Sequence, residues 1–211
     1  MLARFLAGIA AMVAVVAASN VLVQYPFAVQ LGPVNLGDIL TWGAWSYPVA
    51  FLVTDLTNRT FGPAKARLAV LAGFVVAVIL SIYLATPRIA IASGSAFLVA
   101  QLLDIAIFHR LRDGAWWRAP MFSSLVSSAL DTAIFFSLAM APAFAGIDAM
   151  FGMEDSSLAF PAPFLAVGPE VPLWVSLAAG DFLVKLLLTV LMLAPYKTLR
   201  GWLAGRGAVA V

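Results

Sequence analysis

The sequence predicts an all-α fold: a polytopic membrane protein with six transmembrane helices, both termini cytoplasmic, as a single domain over residues 1–211. Three observations predict it. Only 10% of the residues are charged and 64% are hydrophobic, with a mean hydropathy of +1.03, whereas a soluble domain carries about 25% charged residues. Six stretches are each apolar over the length, about 20 residues, that spans a hydrocarbon core. Lysine and arginine gather in alternate connections, as expected of cytoplasmic loops.

The spans follow in order. Span one covers residues 2–23 and repeats small residues from Ala3 to Ala18, which lets a neighbouring helix approach closely. Arg4 and the Ala17-Ala18-Ser19 run also resemble a secretory signal, but the apolar stretch exceeds the usual signal core of about 7–15 residues. Span two covers 38–57, with Pro48 inside it expected to kink the helix and free a backbone carbonyl. Spans three and four cover 66–85 and 89–108; spans five and six cover 119–142 and 171–195. Arg59, Lys65 and Arg67, then Arg110, Arg112 and Arg118, then Lys197, Arg200 and Arg206, fall on one side of six crossings. The other side has Arg88 and a proline-rich loop, expected to lie irregularly on the outer surface, with acids Asp148, Glu154, Asp155 and Glu170.

Candidate functional residues are the polar ones inside spans, where a carboxylate costs roughly 2.5–3.5 kcal/mol to insert. On span five, Ser124, Ser128, Asp131 and Phe135 share a helical face, with Ser123, Ser127 and Thr132 beside it. On span four, Gln101 and Asp104 face the same way and offer an amide and a carboxylate, a set suited to a flat heterocycle with adjacent N–H groups. Asp181 and Lys185 on span six are four apart and able to pair, and Asp55 and Arg59 on span two form a similar pair near the cytoplasmic surface. Trp45, Tyr47 and Phe51 surround Pro48 and offer faces for stacking.

Several chemistries are excluded or disfavoured. The absence of cysteine removes disulfides and thiolate sites, and a single histidine, His109, removes a histidine-rich metal site. HExxH, GxSxG and the phosphate-binding glycine loop are missing, so no enzyme activity, no cofactor and no metal are expected. Gly37-Asp38 and Gly180-Asp181 lack the preceding glycine of the GxGD protease motif.

The ordered set Asn35-Leu36-Gly37-Asp38, Thr54-Asp55-Leu56-Thr57-Asn58-Arg59-Thr60-Phe61-Gly62, Arg88-Ile89-Ala90, Gln101-Leu102-Leu103-Asp104, Ser128-Ala129-Leu130-Asp131-Thr132 with Phe135-Phe136, and Asp181 with Lys185 resembles the queuosine precursor transporters, also called vitamin uptake transporters. That resemblance implies six spans in a bacterial inner membrane and import of 7-cyano- or 7-aminomethyl-7-deazaguanine, bound in a central polar pocket. Asp131 or Asp104 would take the paired N–H donors of the base, Gln101 or Ser128 would complete the edge, and Phe135 or an aromatic of span two would stack. Asp55, Asp181 and Lys185 complete the candidate set, and Arg88 would meet the base carbonyl or hold an acid. The long proline-rich loop departs from the family pattern. The expected partners are the small-molecule base and the lipid bilayer, with no nucleic acid; the alanine-rich first span admits a homodimer. The alternative is a substrate-binding membrane subunit for a vitamin-like molecule, driven by a separate ATP-consuming complex.

Overall fold

A computed structural model describes residues 1–205; Arg206, counted above among the basic residues after span six, lies outside the described residues. The chain is built almost wholly from α-helices. Helix α1 (Leu2–Leu22) leads into a small antiparallel hairpin, β1 (Gln30–Leu31) with β2 (Val34–Asn35). The Asn35-Leu36-Gly37-Asp38 segment is a single turn fixed by its first side chain, which accepts from the Gly37 amide and donates to Asp38.

The second span is broken. Helix α2 (Trp42–Ser46) stops at Tyr47, and α3 (Val49–Phe61) resumes after Pro48, whose missing N–H interrupts the ladder. A Cβ on Gly43 would stand 2.8 Å from Val23 Cα, so the glycine is what lets α2 lie against the end of α1. Gly62, at φ +85°, is the sole connection between α3 and α4 (Pro63–Leu84), and Pro63 opens that helix where no N–H is needed. Helix α5 (Pro87–Leu111) starts the same way, with the Thr86 hydroxyl accepting from the Ile89 amide. Helix α6 (Arg118–Met140) follows.

The loop from α6 onward is more ordered than the sequence suggests. It contains α7 (Gly146–Met150) and an antiparallel ribbon of β3 (Pro161–Pro163) and β4 (Glu170–Pro172). Prolines suit such an isolated two-stranded ribbon, whose outer N–H positions face no partner. Helices α8 (Leu173–Leu191) and α9 (Leu193–Gly205) close the chain.

Among the described residues, five helical segments are long and apolar enough to cross a membrane: α1, α4, α5, α6 and α8 continued by α9. Span two is absent from that count because the Pro48 break leaves two pieces that are each too short. Helix α4 shows what its outer face meets. Leu68, Leu71, Val75, Ile79 and Ile82 repeat at helical spacing and are all exposed, a stripe that water would not tolerate and lipid would. The opposite face (Ala66, Val70, Ala77) packs with Met12 and Val16 of α1, Ala50 of α3, and Phe97 and Ile105 of α5 in the main apolar cluster. Beside that cluster the molecule is inverted relative to a soluble protein. Thr54, Asp55 and Asn58 of α3, Gln101 and Asp104 of α5, and Ser123, Ser127, Ser128 and Asp131 of α6 are all buried.

Candidate functional site

Helix α6 organises the polar interior. Its face from Ser123 to Asp131 rises about 12 Å at 1.5 Å per residue, and it meets different partners at its two ends. At the Asp131 end it packs on α8, where Lys185 Nζ donates to Asp131 at 2.7 Å and pairs with Asp181, one turn earlier on its own helix, at 2.5 Å. Thr132 closes the group: its hydroxyl accepts from Lys185 at 3.0 Å and donates to Asp181 at 2.8 Å. Two carboxylates therefore share one ammonium, and Asp131 keeps a second oxygen, Oδ1, that is buried and without a partner among the described residues. Tyr47, at the broken span, lies within electrostatic reach of both Asp131 and Asp181.

In the stretch between the two ends, Ser127 and Ser128 are both buried with hydroxyls that have no partner among the described residues. Gln101 is held from one side only: Thr54 donates to its Oε1 at 2.5 Å, while Nε2 is buried and unpartnered. Phe135, one turn beyond Asp131, is half-buried and meets Phe136 edge-on with ring centroids 5.0 Å apart.

At the other end of the α6 face, Ser123 donates to Asp55 at 3.5 Å, and Asp104 stands against both Asp55 and Ser123. Asp55 thus turns inward to a second carboxyl rather than to Arg59, and the expected Asp55–Arg59 pair does not form. Arg59 instead donates to the Arg112 carbonyl at 2.5 Å, satisfying an end of α5 that has no helical partner of its own.

Arg88 lies in a separate place. It is fully buried at the start of α5 and reaches the end of α6 and the following loop. Its Nε donates to the Leu138 carbonyl at 2.8 Å, and its other nitrogens reach the Ala141 carbonyl, Ser157, Asp148 at 2.7 Å and Asp155 at 3.4 Å. The acids it holds belong to the proline-rich loop and the carbonyls it meets are backbone. The Ser156 amide, and then the Arg88 guanidinium and Ser156 hydroxyl, hold the Asp148 carboxyl below the usual carboxylate range; the hydroxyl and amide of Ser157 do the same for Asp155.

The structure thus brings Asp131, Asp181 and Lys185 into one contact group, with Ser128 and Phe135 on the same helix as Asp131 and Gln101 apart on α5. It sets Asp55 and Asp104 together as a second group and places Arg88 outside both. Sequence spacing showed the Asp181–Lys185 pair because it lies within one helix. It missed the links of Lys185 to Asp131 and of Asp55 to Asp104, which depend on helix packing; no signal within a single span carries them.

Between α3, α6, α8 and α9, Pro48, Phe51, Asp55, Ser124, Thr189 and Tyr196 line a small hollow with room for about one water molecule. Among the described residues no group of three acidic, histidine or cysteine side chains is placed to hold a metal ion.

The sequence profile of a family described as putative vitamin uptake transporter matches residues 41–86 and 80–199. A protein of Haemophilus influenzae (strain ATCC 51907 / DSM 11121 / KW20 / Rd) named as a probable queuosine precursor transporter is 34% identical over 208 residues, covering 86% of this chain and 79% of its own length. The queuosine precursor transporter of Escherichia coli (strain K12) is 36% identical over 146 residues, 59% of this chain and 63% of that protein. A probable queuosine precursor transporter of Bacillus subtilis (strain 168) is 30% identical over 131 residues, 49% of this chain and 57% of that protein. No solved structure gives a significant match.

Proposed function

Because the chain belongs to the vitamin uptake transporter family, we propose that it imports a queuosine precursor, 7-cyano- or 7-aminomethyl-7-deazaguanine, across a bacterial inner membrane. Both termini are cytoplasmic in this reading, and α2 with α3 serves as a sixth, broken crossing. The observation that carries the proposal is the row of buried polar atoms with no protein partner among the described residues: Asp131 Oδ1, Ser127 Oγ, Ser128 Oγ and Gln101 Nε2. In lipid such atoms are costly. A deazaguanine supplies what they lack. Its ring N–H and exocyclic amine point the same way and suit a carboxylate, here Asp131. Its ring carbonyl accepts from an amide or hydroxyl, here Gln101 or Ser128. Lys185, with Asp181 and Thr132, fixes the Asp131 carboxylate so that one oxygen faces the base, and Phe135 or Tyr47 covers a ring face.

In this reading the base reaches these atoms by helix movement. The Pro48 break is the natural place for it, since unwound backbone at membrane depth persists where it borders a binding cavity. The test is uptake of labelled 7-cyano- and 7-aminomethyl-7-deazaguanine by cells without their own route, with guanine as competitor. Expression of this chain should confer uptake, and Asp131→Ala should abolish it at unchanged membrane levels. No uptake by well-expressed protein overturns the substrate. Uptake by the purified chain in vesicles, without a partner, separates a self-sufficient importer from a subunit that needs an energising complex.

A further inference from the structure

The Asp55–Asp104 contact is left unused by the reading above. Asp55 and Asp104 come from different helices, are 2% and 0% exposed, and meet carboxyl to carboxyl with Ser123 beside them. Both oxygens of Asp104 are buried without a hydrogen-bond donor among the described residues, and no lysine or arginine among those residues forms an ion pair with either acid. Two carboxylates in contact, far from water and without a cation, cannot both carry charge; a proton between them turns the repulsion into a hydrogen bond. The surroundings leave that role open. From α9, Tyr196 is the titratable group within reach of Asp55, and the nearby charges Arg59, Arg112 and Arg200 lie around Tyr196. Arg59 is committed to the Arg112 carbonyl. From α8, Lys185 is committed to Asp131 and Asp181. From α4, Lys65 and Arg67 are exposed, and its buried residues Ala66 and Val70 are apolar.

We propose that Asp55 and Asp104 form a proton-binding site, one proton held between two carboxyls, and that this proton is the coupling ion for import of the base. The proposal rests on the transport reading above. The link to substrate is mechanical. Asp55 follows Thr54, whose hydroxyl is bonded to Gln101 of the polar seam, and Asp104 follows Gln101 by three residues on α5. Any swing of α3 away from α5, hinged at Pro48, breaks the Thr54–Gln101 bond and parts the two carboxyls together. Once parted, each carboxyl ionises separately and the proton leaves. Asp55 also borders the hollow with room for about one water, which gives the proton a way out. One proton then crosses with each base, bound while the helices are closed and released when they separate.

The test uses the full chain reconstituted in vesicles containing a pH-sensitive dye, with labelled 7-cyano-7-deazaguanine as the probe. With a gradient of about one pH unit, one proton per base supports about tenfold accumulation, with acidification of the lumen when base is added. In Asp104→Asn the exchange of labelled for unlabelled base persists, while accumulation falls to equal concentrations on both sides and the dye signal is lost. Asp55→Asn gives the same split and stands in should Asp104→Asn fail to assemble. Infrared spectroscopy at neutral pH shows a protonated carboxylic acid band in the parent protein that the double variant Asp55→Asn with Asp104→Asn loses. The proposal is overturned by wild-type net uptake without proton entry, by accumulation that follows a sodium gradient, by a variant that still accumulates base, or by absence of the infrared band. Failure of the parent protein to exchange base at all overturns the import reading itself, and the coupling with it.

Discussion

Two buried cations, Arg88 and Lys185, each hold two carboxylates, yet their surroundings differ in kind. Arg88 anchors to backbone: two of its nitrogens reach the carbonyls of Leu138 and Ala141, and its acids come from a loop that it ties down. Among the described residues, the Lys185 ammonium meets side chains in mid-helix, Asp131, Asp181 and Thr132. Beside Lys185, Ser127, Ser128 and one oxygen of Asp131 have no partner among the described residues. A guanidinium fork matched to fixed carbonyls makes a permanent joint. An ammonium between movable carboxylates, bordered by unmet polar atoms, makes a place where a ligand can join or substitute. The same residue classes thus build a fastening in one region and, under the proposed function, a receptor in the other.

The comparison makes predictions that differ in size. Asp131→Asn should have the largest effect on transport, lowering uptake by about a hundredfold, the equivalent of losing a charged hydrogen bond of roughly 3 kcal/mol. Membrane abundance should stay near that of the parent, as measured by quantitative immunoblot beside the uptake assay. Arg88→Ala should reverse the pattern, lowering the melting temperature in detergent by roughly 5–10 °C because its buried acids lose their partner. Arg88→Lys should recover only part of that, since a point charge cannot span both carbonyls and both acids. A mutant that loses uptake while keeping its melting temperature would move Arg88 to the receptor side.

Phe135→Ala tests the edge of the receptor. Loss of one aromatic face contributes about 0.5–1.5 kcal/mol, so KM for the base should rise by up to about tenfold with little change in maximal rate. The smallest effect concerns acid. Asp148 and Asp155 are held below the ordinary carboxylate range, so they stabilise the loop above about pH 4 and release that stability as pH falls through their lowered values. Protection of the amides across residues 146–163, relative to the unstructured chain at the same pH, should therefore hold from neutral pH down to about 4 and fall below it, while α5 and α6 stay protected.

Much of this architecture is legible in the sequence because lipid imposes simple rules. Apolar length marks α1, α4, α5, α6 and α8 within a few residues, and Pro48 announces the break between α2 and α3 because a ring nitrogen cannot donate. The candidate residues are legible for the same reason: an acid inside a span has few uses. Their grouping is not legible. Asp131 and Lys185 lie 54 positions apart, and which turn of α6 faces which turn of α8 depends on packing that hydropathy does not encode. Asp55 shows the hazard of reading within one helix, where the four-residue spacing to Arg59 suggests a pair that the end of α5 takes away. The proline-rich loop misleads in the other direction, because Arg88, 60 positions before Asp148, holds its first part through side-chain bonds that composition does not announce.

The connection at Gly62 has a practical consequence. A single residue at φ +85° separates α3 from α4, so that corner has no slack for an inserted tag, and any side chain placed there would strain the turn. Residues 152–154 are exposed and lie outside the Arg88 joint, so a reporter of sidedness belongs there. A short epitope in that stretch, labelled from one face of intact cells, would orient every crossing at once.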